Sequence, residues 1–194
     1  MRQFFSTWTI GIVAGLCLST GVKPAAAADE YAFDMVHSSI SFKTQHLDIS
    51  WIHGRFNEAE GKFVIDKLDP AKSSFELSIK ADSVDTANKA RDEHLRQPDY
   101  FDTKQFPTID FKSTSVRPIK GGYEVAGDFT MHGKTNPVTI KLLGGKEADF
   151  MGTKRVGFST ELSLKRSDFG FDKKNIGLIG DEVRIYIDCE GMRK

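Results

Sequence analysis

The side chains best suited to chemistry are the histidines, because an imidazole can act as a general base or bind a metal ion. There are five of them: His37, His46, His53, His94 and His132. The first three are separated by nine and seven residues, and none forms the close pair typical of a zinc site. No nucleophile or metal-ligand constellation accompanies them. We therefore predict no metal site.

The segment Gly157-Phe158-Ser159-Thr160 is the nearest approach to a hydrolase motif. It lacks the second glycine of a nucleophile elbow, and Ser159 would point outward on an alternating strand rather than sit on a sharp turn. A phosphate-binding loop is also absent, because no glycine cluster follows a strand pattern and opens a helix. The sequence therefore predicts no catalytic residue and no cofactor.

The densest group of polar side chains lies on the one interior segment with a clear helical pattern, residues 87–96. Thr86 or Asn88 can cap the start of this helix, and Pro98 stops it. The polar residues on it are Arg91, Asp92, Glu93, His94 and Arg96. They could form a solvated helix face, or they could contact the rest of the fold or the polar end of a ligand. The pattern does not choose among these roles.

Alternation of apolar and polar residues dominates the rest of the chain and predicts strands with one buried face. In residues 74–80, 123–129 and 156–164, most inward positions are apolar. Shorter examples centre on Ile40, Phe63, Ile109, Val138 and Val183. Together these segments make roughly eight strands. Residues 46–56 are too irregular for a single strand, and we predict a short helical turn there.

Glycine pairs between the alternating segments favour hairpins, and therefore an antiparallel arrangement. Examples are Gly121-Gly122 and Gly144-Gly145. Eight such strands can pack as a two-sheet sandwich or close into a barrel, and closure removes the exposed edges. An eight-stranded barrel can be filled by side chains or can hold one slender ligand. The pattern thus predicts an all-β protein. It does not choose between a sandwich and a barrel, or between an interior filled by side chains and one that holds a ligand.

The first 28 residues have the features of a secretory signal peptide. Arg2 precedes an apolar stretch from Phe4 to Leu18, and the alanines that end at Ala28 supply the small residues that signal peptidase requires. The apolar stretch is shorter than the roughly 20 residues that span a bilayer. We predict cleavage after Ala28, no transmembrane segment in the mature chain, and one mature domain, residues 29–194.

Cysteine content and charge limit the possible partners of the mature chain. Cys17 would leave with the signal, so Cys189 has no disulfide partner within the chain. Because Cys189 continues the alternating series of the last strand, we predict a buried, inert thiol and a monomer or non-covalent homodimer. The chain has 27 basic and 27 acidic residues, and removal of Arg2 and Lys23 leaves a slightly negative mature chain with no basic block. This argues against nucleic acid as a partner.

Several segments of the mature chain form an ordered set of motifs. They are Asp34, His37-Ser38, Phe42, His46-Leu47, Gly54 and Phe56; Arg91-Asp92-Glu93-His94-Leu95-Arg96 with Asp99, Phe101, Pro107 and Phe111; Gly127-Asp128-Phe129-Thr130-Met131-His132-Gly133 with Pro137-Val138; and Gly157-Phe158 with Arg166-Ser167-Asp168-Phe169-Gly170. The set covers essentially the whole mature chain. It resembles the YceI-like family of periplasmic polyisoprenoid-binding proteins, whose fold is lipocalin-like.

The resemblance implies an antiparallel eight-stranded barrel in the periplasm, with an apolar tunnel that carries a polyisoprenoid, an isoprenoid quinone or a related amphiphile. On this basis we predict a tunnel lined by Phe42, Phe75, Leu77, Ile79, Leu95, Phe101, Phe111, Phe129, Ile140, Phe158 and Leu162. His37, Arg91, Asp92 and His94 are candidates either for contact with the polar head of the ligand or for structural hydrogen bonds.

Two other functions stay open at this point. A packed-core barrel without a ligand could act as an interaction module through loops such as residues 168–181. A lipid-modifying enzyme could use His37, His46 or His94 as its base, although no nucleophile accompanies them. The two alternatives predict a solid interior and a reactive group beside the ligand, respectively.

Overall fold

The chain is folded mainly into long strands. The computed structural model describes residues 28–171 and 178–194. Within them lie the strands β1 (Asp29–His46), β2 (Ser50–Phe56), β3 (Ala59–Ile65), β4 (Ser74–Lys80), β5 (Val84–Asp85), β6 (Thr108–Ile119), β7 (Gly122–Met131), β8 (Lys134–Phe150), β9 (Thr153–Lys165) and β10 (Ile179–Arg193). The helix α1 spans Lys89–Leu95, and short 3-10 helices span Pro70–Lys72, Ala81–Ser83 and Arg166–Phe169.

The strands close into an antiparallel barrel. The last strand returns to the first, because β10 pairs with β1 from the Tyr31–Arg193 pair to the His46–Ile179 pair. β2 and β3 pair with different parts of the same side of β1, so these two strands share one barrel position. β5 pairs with β2 and β4 pairs with β3, so β4 and β5 share the next position. The ten strands therefore fill eight barrel positions. The predicted all-β barrel with one short helix is confirmed, and the sandwich alternative is wrong.

Residues 46–56 form a hairpin, so the predicted short helical turn is wrong. β1 ends at His46, the chain turns at Leu47 and Asp48 with φ values of 53° and 56°, and β2 then pairs with β1 in register. The period of two is present in β2 but is masked, because one inward position is Gly54 and one outward position is Trp51. A hydropathy pattern does not register a glycine as a buried residue.

Gly54 is a glycine because of its neighbour on β1. A Cβ atom at this position would lie 2.3 Å from the Cζ atom of the Phe42 ring. The aromatic side chain therefore occupies the space that any other residue at position 54 would need. The Phe42 ring also lines the barrel interior.

The one α-helix forms where its pattern predicts it, and it is shorter than the predicted residues 87–96. Asn88 caps the start, since its side-chain oxygen accepts a hydrogen bond of 3.1 Å from the backbone N–H of Arg91. The helix ends at Leu95, three residues before Pro98, which cannot continue it.

The buried residues fall into two clusters at opposite ends of the barrel. We call one end the packed end; it contains Tyr31, Ile65, Val116, Val125 and Val156, all 5% exposed or less. We call the other the helix end, because α1 and the 3-10 helix Arg166–Phe169 lie there. Its cluster includes Ile40, Val84, Phe129 and Phe169, with Leu95 and Phe101 packed against it.

The predicted signal peptide falls almost wholly outside the described residues, which begin at position 28. Its cleavage and the destination of the chain therefore stay predictions. In the described part of the chain, no helix has both the length and the apolar character needed to cross a bilayer.

Candidate functional site

The barrel contains an apolar cavity that begins at the helix end. Its volume is about 160 Å³, well above the roughly 10–15 Å³ that one water molecule occupies. All eight barrel positions and the segment around α1 contribute lining residues, and most of these are aliphatic or aromatic. Because an enclosed water needs two or more polar partners, such a cavity favours an apolar occupant.

The inward-facing side chains that the sequence predicts for the tunnel all lie around this cavity. They are Phe42, Phe75, Leu77, Ile79, Leu95, Phe101, Phe111, Phe129, Ile140, Phe158 and Leu162. Contact between these residues and a ligand stays a prediction. For the nine of these residues that lie on strands, the shared position follows from the period of two, since alternate residues of one strand point to the same side of a sheet. Leu95 and Phe101 are placed there by the helix and the loop after it.

Three aromatic rings form the floor of the cavity, where it meets the packed end. Phe158 meets Phe75 and Phe63 edge to face, with ring centroids 5.6 and 6.0 Å apart. Phe63 and Phe75 lie 5.8 Å apart. Such arrangements suit the charge distribution of aromatic rings. All three rings belong to the packed-end cluster and also line the cavity, so they end it on that side.

The opposite side of the cavity is covered by residues from α1 and from two loops. Leu95 on the helix and Phe101 just after it both line the cavity, and the Phe101 N–H donates a hydrogen bond of 2.9 Å to the Leu95 carbonyl. The Phe101 ring meets Phe56 and Phe171 edge to face at 5.7 and 5.6 Å. The helix thus positions an aromatic cover over the interior.

Hydrogen bonds from the polar face of α1 fix this cover to the barrel. The buried Asp92 carboxylate accepts from the backbone N–H and the hydroxyl of Thr86, at 2.8 and 2.5 Å. Arg91 donates to the Thr86 hydroxyl and carbonyl, each at 2.7 Å. Arg96 donates to the carbonyls of Asp82 and Val84. Arg91 and Asp92 do not line the cavity, and their contacts are those of a structural link.

None of the histidines lines the cavity; all five belong to the described residues. His94 is exposed, and its Nε2 lies 2.7 Å from a carboxylate oxygen of Asp99. His37 lies at the packed end, with Nδ1 2.7 Å from Asp34 Oδ2. The structure therefore does not bring His37 or His94 to the predicted ligand. It also places no histidine where it could act as a base on a molecule in the cavity.

Asp34, His37 and Glu190 bring their ligand atoms within 4.8 Å of one another, as a metal site would. The Arg155 guanidinium lies among them, 2.6 Å from Asp34 and 3.1 Å from Glu190. It already supplies positive charge to this group. Although burial raises the pKa of Asp34, hydrogen bonds from His37, Arg155 and the Val36 N–H hold it below its usual range. The cluster is an ion-pair network that joins β1, β9 and β10.

Several polar residues that sequence reasoning missed line the cavity, and Thr160 and Arg166 are the most deeply buried of them. Thr160 and Arg166 are 8% and 7% exposed. Arg166 donates to the backbone carbonyls of Gly180 and Ile179 at 3.0 and 2.9 Å. The signal was present in the sequence, because the inward series of β9 that includes Phe158 and Leu162 continues through these positions. A hydropathy pattern passes over polar residues even when their place in the alternation is inward.

Cys189 also lines the cavity, and it is the free cysteine of the described chain. Burial raises the pKa of its thiol to about 12. The thiol is therefore protonated at neutral pH and acts as a small apolar wall residue, as the sequence predicts.

A closed eight-stranded antiparallel barrel with an apolar interior defines a class of binding proteins built like the lipocalins. Within that class, the profile of the YceI-like domain matches residues 31–191. The chain belongs to the YceI-like family.

Full-length relatives agree with this assignment. A UPF0312 protein of Photorhabdus laumondii is 36% identical over 186 residues, covering 95% of this chain and 96% of its own. Protein YceI of Escherichia coli O157:H7 is 36% identical over 184 residues, covering 93% of this chain and 94% of its own.

Solved structures share the fold. Burkholderia cenocepacia BcnA superposes with a TM-score of 0.72 at 25% identity, over 81% of this chain and 98% of its own. The Campylobacter jejuni YCEI protein gives 0.68 at 30% identity, over 77% and 90%. A polyisoprenoid-binding domain from Saccharophagus degradans gives 0.64 at 18% identity, over 84% and 98%, which shows the likeness of fold alone.

Proposed function

We propose that this protein is a periplasmic carrier that holds the chain of a long amphiphile, such as a polyisoprenoid or an isoprenoid quinone, inside its barrel. The observation that carries the proposal is the apolar cavity between the aromatic floor and the helix cover. Burial of each methylene of a chain is worth about 0.8 kcal/mol. A tube of this kind can therefore bind a prenyl chain tightly with few polar contacts.

Three further observations support a carrier over the alternatives. The open interior does not fit a packed-core interaction module. No histidine among the described residues reaches the cavity, which leaves a lipid-modifying enzyme without its expected base. The Saccharophagus degradans domain with the same fold is described as polyisoprenoid-binding. The N-terminal signal pattern supports export to the periplasm, where a carrier would exchange its cargo with the envelope membranes.

The test is a binding titration of the delipidated protein with prenyl alcohols of increasing length, from farnesol to solanesol. Affinity should rise with each added isoprene unit until the cavity is filled and then level off, because each unit adds buried methylenes. Binding that does not depend on chain length, or no binding of any prenyl alcohol, would contradict the proposal.

A matched pair of variants locates the binding. Leu162→Trp adds volume to the cavity wall, whereas Ser163→Trp adds the same side chain on the exposed face of the same strand. We expect Leu162→Trp to weaken binding of the longer alcohols by at least about tenfold, since it removes room for two or more methylenes. Ser163→Trp should bind as the wild type does.

A further inference from the structure

In the helix-end half of the barrel, β8 and β9 lie side by side without being paired. They pair from Phe150–Thr153 to Leu143–Ser159, and among the described residues their pairing stops there. Beyond that point each strand stays paired on its other side, β8 with β7 and β9 with β10. We call this unpaired stretch of the wall, up to the ends of both strands, the seam. Its six residues on β9, at about 3.3 Å each, make it roughly 20 Å long.

The seam begins at a bulge in β8. The register between the two strands shifts between Gly144 and Lys146, and Gly144 and Gly145 have φ values of 122° and 83°. A bulge bends the strand that carries it. From there to the helix end β8 stays in register with β7 and not with β9, so the glycine pair sets where the seam begins.

A groove on the outer surface lies over the seam. Its lining includes Val138 on β8, Leu164 on β9 and Phe169 of the 3-10 helix that follows β9. Leu164 also lines the cavity inside the barrel, so this side chain borders both the groove and the cavity. Phe169 is 2% exposed and packs edge to face on Phe129, with ring centroids 5.5 Å apart. Side chains, and not paired backbone, therefore separate the cavity from the groove.

The 3-10 helix Arg166–Phe169 fills the seam near its open end, and it forms more hydrogen bonds with β10 than with β8. The Arg166 guanidinium donates to two carbonyls of β10. The N–H and hydroxyl of Ser167 donate to the Asp181 carboxylate, at 2.9 and 2.8 Å. Among the described residues, β8 itself contributes one bond, from the Asn136 side chain to the Asp168 carbonyl at 3.2 Å. The seam can therefore widen on its β8 side.

We infer that the seam is a lateral portal, through which the chain of the cargo enters and leaves the cavity. Passage requires rotation of the Leu164 side chain and a small shift of β8 away from the 3-10 helix. Side-chain rotation is fast at partly exposed positions. The other route, past Leu95, requires α1 to break the buried bonds between Asp92 and Thr86. The inference rests on the proposed function, because it concerns the route to the same cavity.

The test measures rates as well as affinity. Stopped-flow fluorescence follows the binding and release of cis-parinaric acid, a slender acyl chain that fluoresces in an apolar site, by the full mature protein. In the double variant Asn136→Cys, Asp168→Cys, a bifunctional methanethiosulfonate joins β8 to the 3-10 helix across the seam. We expect both rate constants to fall by at least about tenfold while the dissociation constant changes by less than about twofold. Dithiothreitol should restore both rates.

A matched cross-link on the same two strands is the control. Phe150→Cys with Thr153→Cys joins β8 to β9 at the packed end, where the strands are already paired. The same reagent should leave both rate constants of this protein unchanged. Burial raises the pKa of the Cys189 thiol to about 12, so this thiol should stay unmodified in either protein, which the intact mass verifies.

Two leucines of β9 test the portal without a cross-link, and they decide the matter where the reagent does not join the thiols. Leu164 borders the cavity and the groove, whereas Leu162 lines the cavity alone. Leu164→Ala should speed both binding and release of the probe, binding by about threefold or more, since it removes part of the barrier. Leu162→Ala should speed release alone, because it removes contacts of the bound chain and leaves the portal intact.

The outcomes separate the two proposals. Rate constants that the cross-link across the seam does not change, or equal association rates in the two leucine variants, would overturn the portal and leave the carrier function standing. Failure of cis-parinaric acid and the prenyl alcohols alike to bind the wild type would overturn both.

Discussion

The two ends of the barrel are built from the same alternating strands and differ in what fills them. At the packed end, side chains such as Tyr31 and Val125, both 0% exposed, fill the interior completely. At the helix end, aliphatic and aromatic side chains stand around a cavity instead of filling it. The difference indicates that the two ends have separate roles. One end supplies most of the packing that holds the barrel closed, which leaves the other free to hold a ligand.

The packed end is also sealed by charged groups. The Tyr31 hydroxyl donates to Glu147 at 2.7 Å, and Lys67 bridges Glu147 and Asp29 at 2.5 and 3.2 Å. Arg193 contacts the same Asp29. These bonds tie β1, β8 and β10 and the loop after β3 together. At the helix end, the corresponding cover is held mainly by bonds within one short segment, from Asp82 to Arg96.

The largest expected effect comes from removing a side chain at the packed end. Tyr31→Ala should lower the free energy of unfolding by about 3–5 kcal/mol, as truncation of a buried aromatic ring does. Phe42→Ala, at the cavity, should cost roughly 1–2 kcal/mol because its ring is only partly buried and borders space that already exists. Urea unfolding of the ligand-free variants measures both. Equal losses of unfolding free energy in the two variants would contradict the proposed difference in packing between the two ends.

The next effect concerns the link between α1 and the barrel. Asp92→Ala leaves the Thr86 N–H and hydroxyl without their acceptor and should cost about 2–3 kcal/mol. Hydrogen exchange should rise in residues 86–101 and not at the packed end. Glu93→Ala, the exposed neighbour on the same helix, serves as the control and should change stability by less than about 0.5 kcal/mol. Exchange that rises equally at both ends would show that the ends are not separate units.

A smaller effect should appear on acidification, through the carboxylate of Glu147 at the packed end. Hydrogen bonds from Lys67 and Tyr31 hold the pKa of Glu147 below its usual range. A carboxylate whose folded pKa is depressed stabilises the fold above its unfolded pKa, about 4, and loses that contribution as the pH falls through the folded value. Glu147→Gln should therefore be less stable than the wild type at pH 7, and the difference in stability should narrow as the pH falls below the unfolded pKa. A gap that is constant from pH 7 to pH 3 would contradict this account.

The smallest effect concerns the reactivity of the Cys189 thiol, which can be measured on the wild-type protein. With its pKa raised to about 12 by burial, the thiol should react with iodoacetamide much more slowly at pH 8 than a free cysteine does. Because it lines the cavity, a bound prenyl alcohol should slow the reaction further. Mass spectrometry of the time course measures both rates. Rapid labelling at a rate that the bound ligand does not change would place Cys189 outside the ligand-binding interior.

The sequence predicts the fold well where alternation is uninterrupted and poorly where it is masked. β4, β7 and β9 follow directly from their period of two, and the helix follows from its cap at Asn88. β2 was missed because Gly54 is inward and Trp51 outward, an arrangement that depends on the Phe42 ring of another strand. β5 has two residues, too few for any period to show.

The candidate site was likewise predictable from the sequence only in part. Its apolar wall follows from side-chain alternation, whereas its polar members do not follow from residue type. Asp92 and His37 attract attention as ionisable residues, and both form hydrogen bonds to other residues of the protein. Thr160 attracted none, since a threonine on a strand is ordinary, and Arg166 entered only as part of a motif, with no role at the cavity. Only the closure of the barrel shows that these two face the cavity.

The central claim is that the helix end holds a long apolar chain, and native mass spectrometry of the mature protein tests it most directly. The protein would be purified from its native host without detergent, weighed intact, and then extracted with organic solvent to identify what it carried. The account predicts one prenyl or acyl molecule per chain in the wild type and in Ser163→Trp, and a bare chain in Leu162→Trp. A wild-type mass equal to that of the polypeptide, with no uptake of added polyprenol, would contradict it.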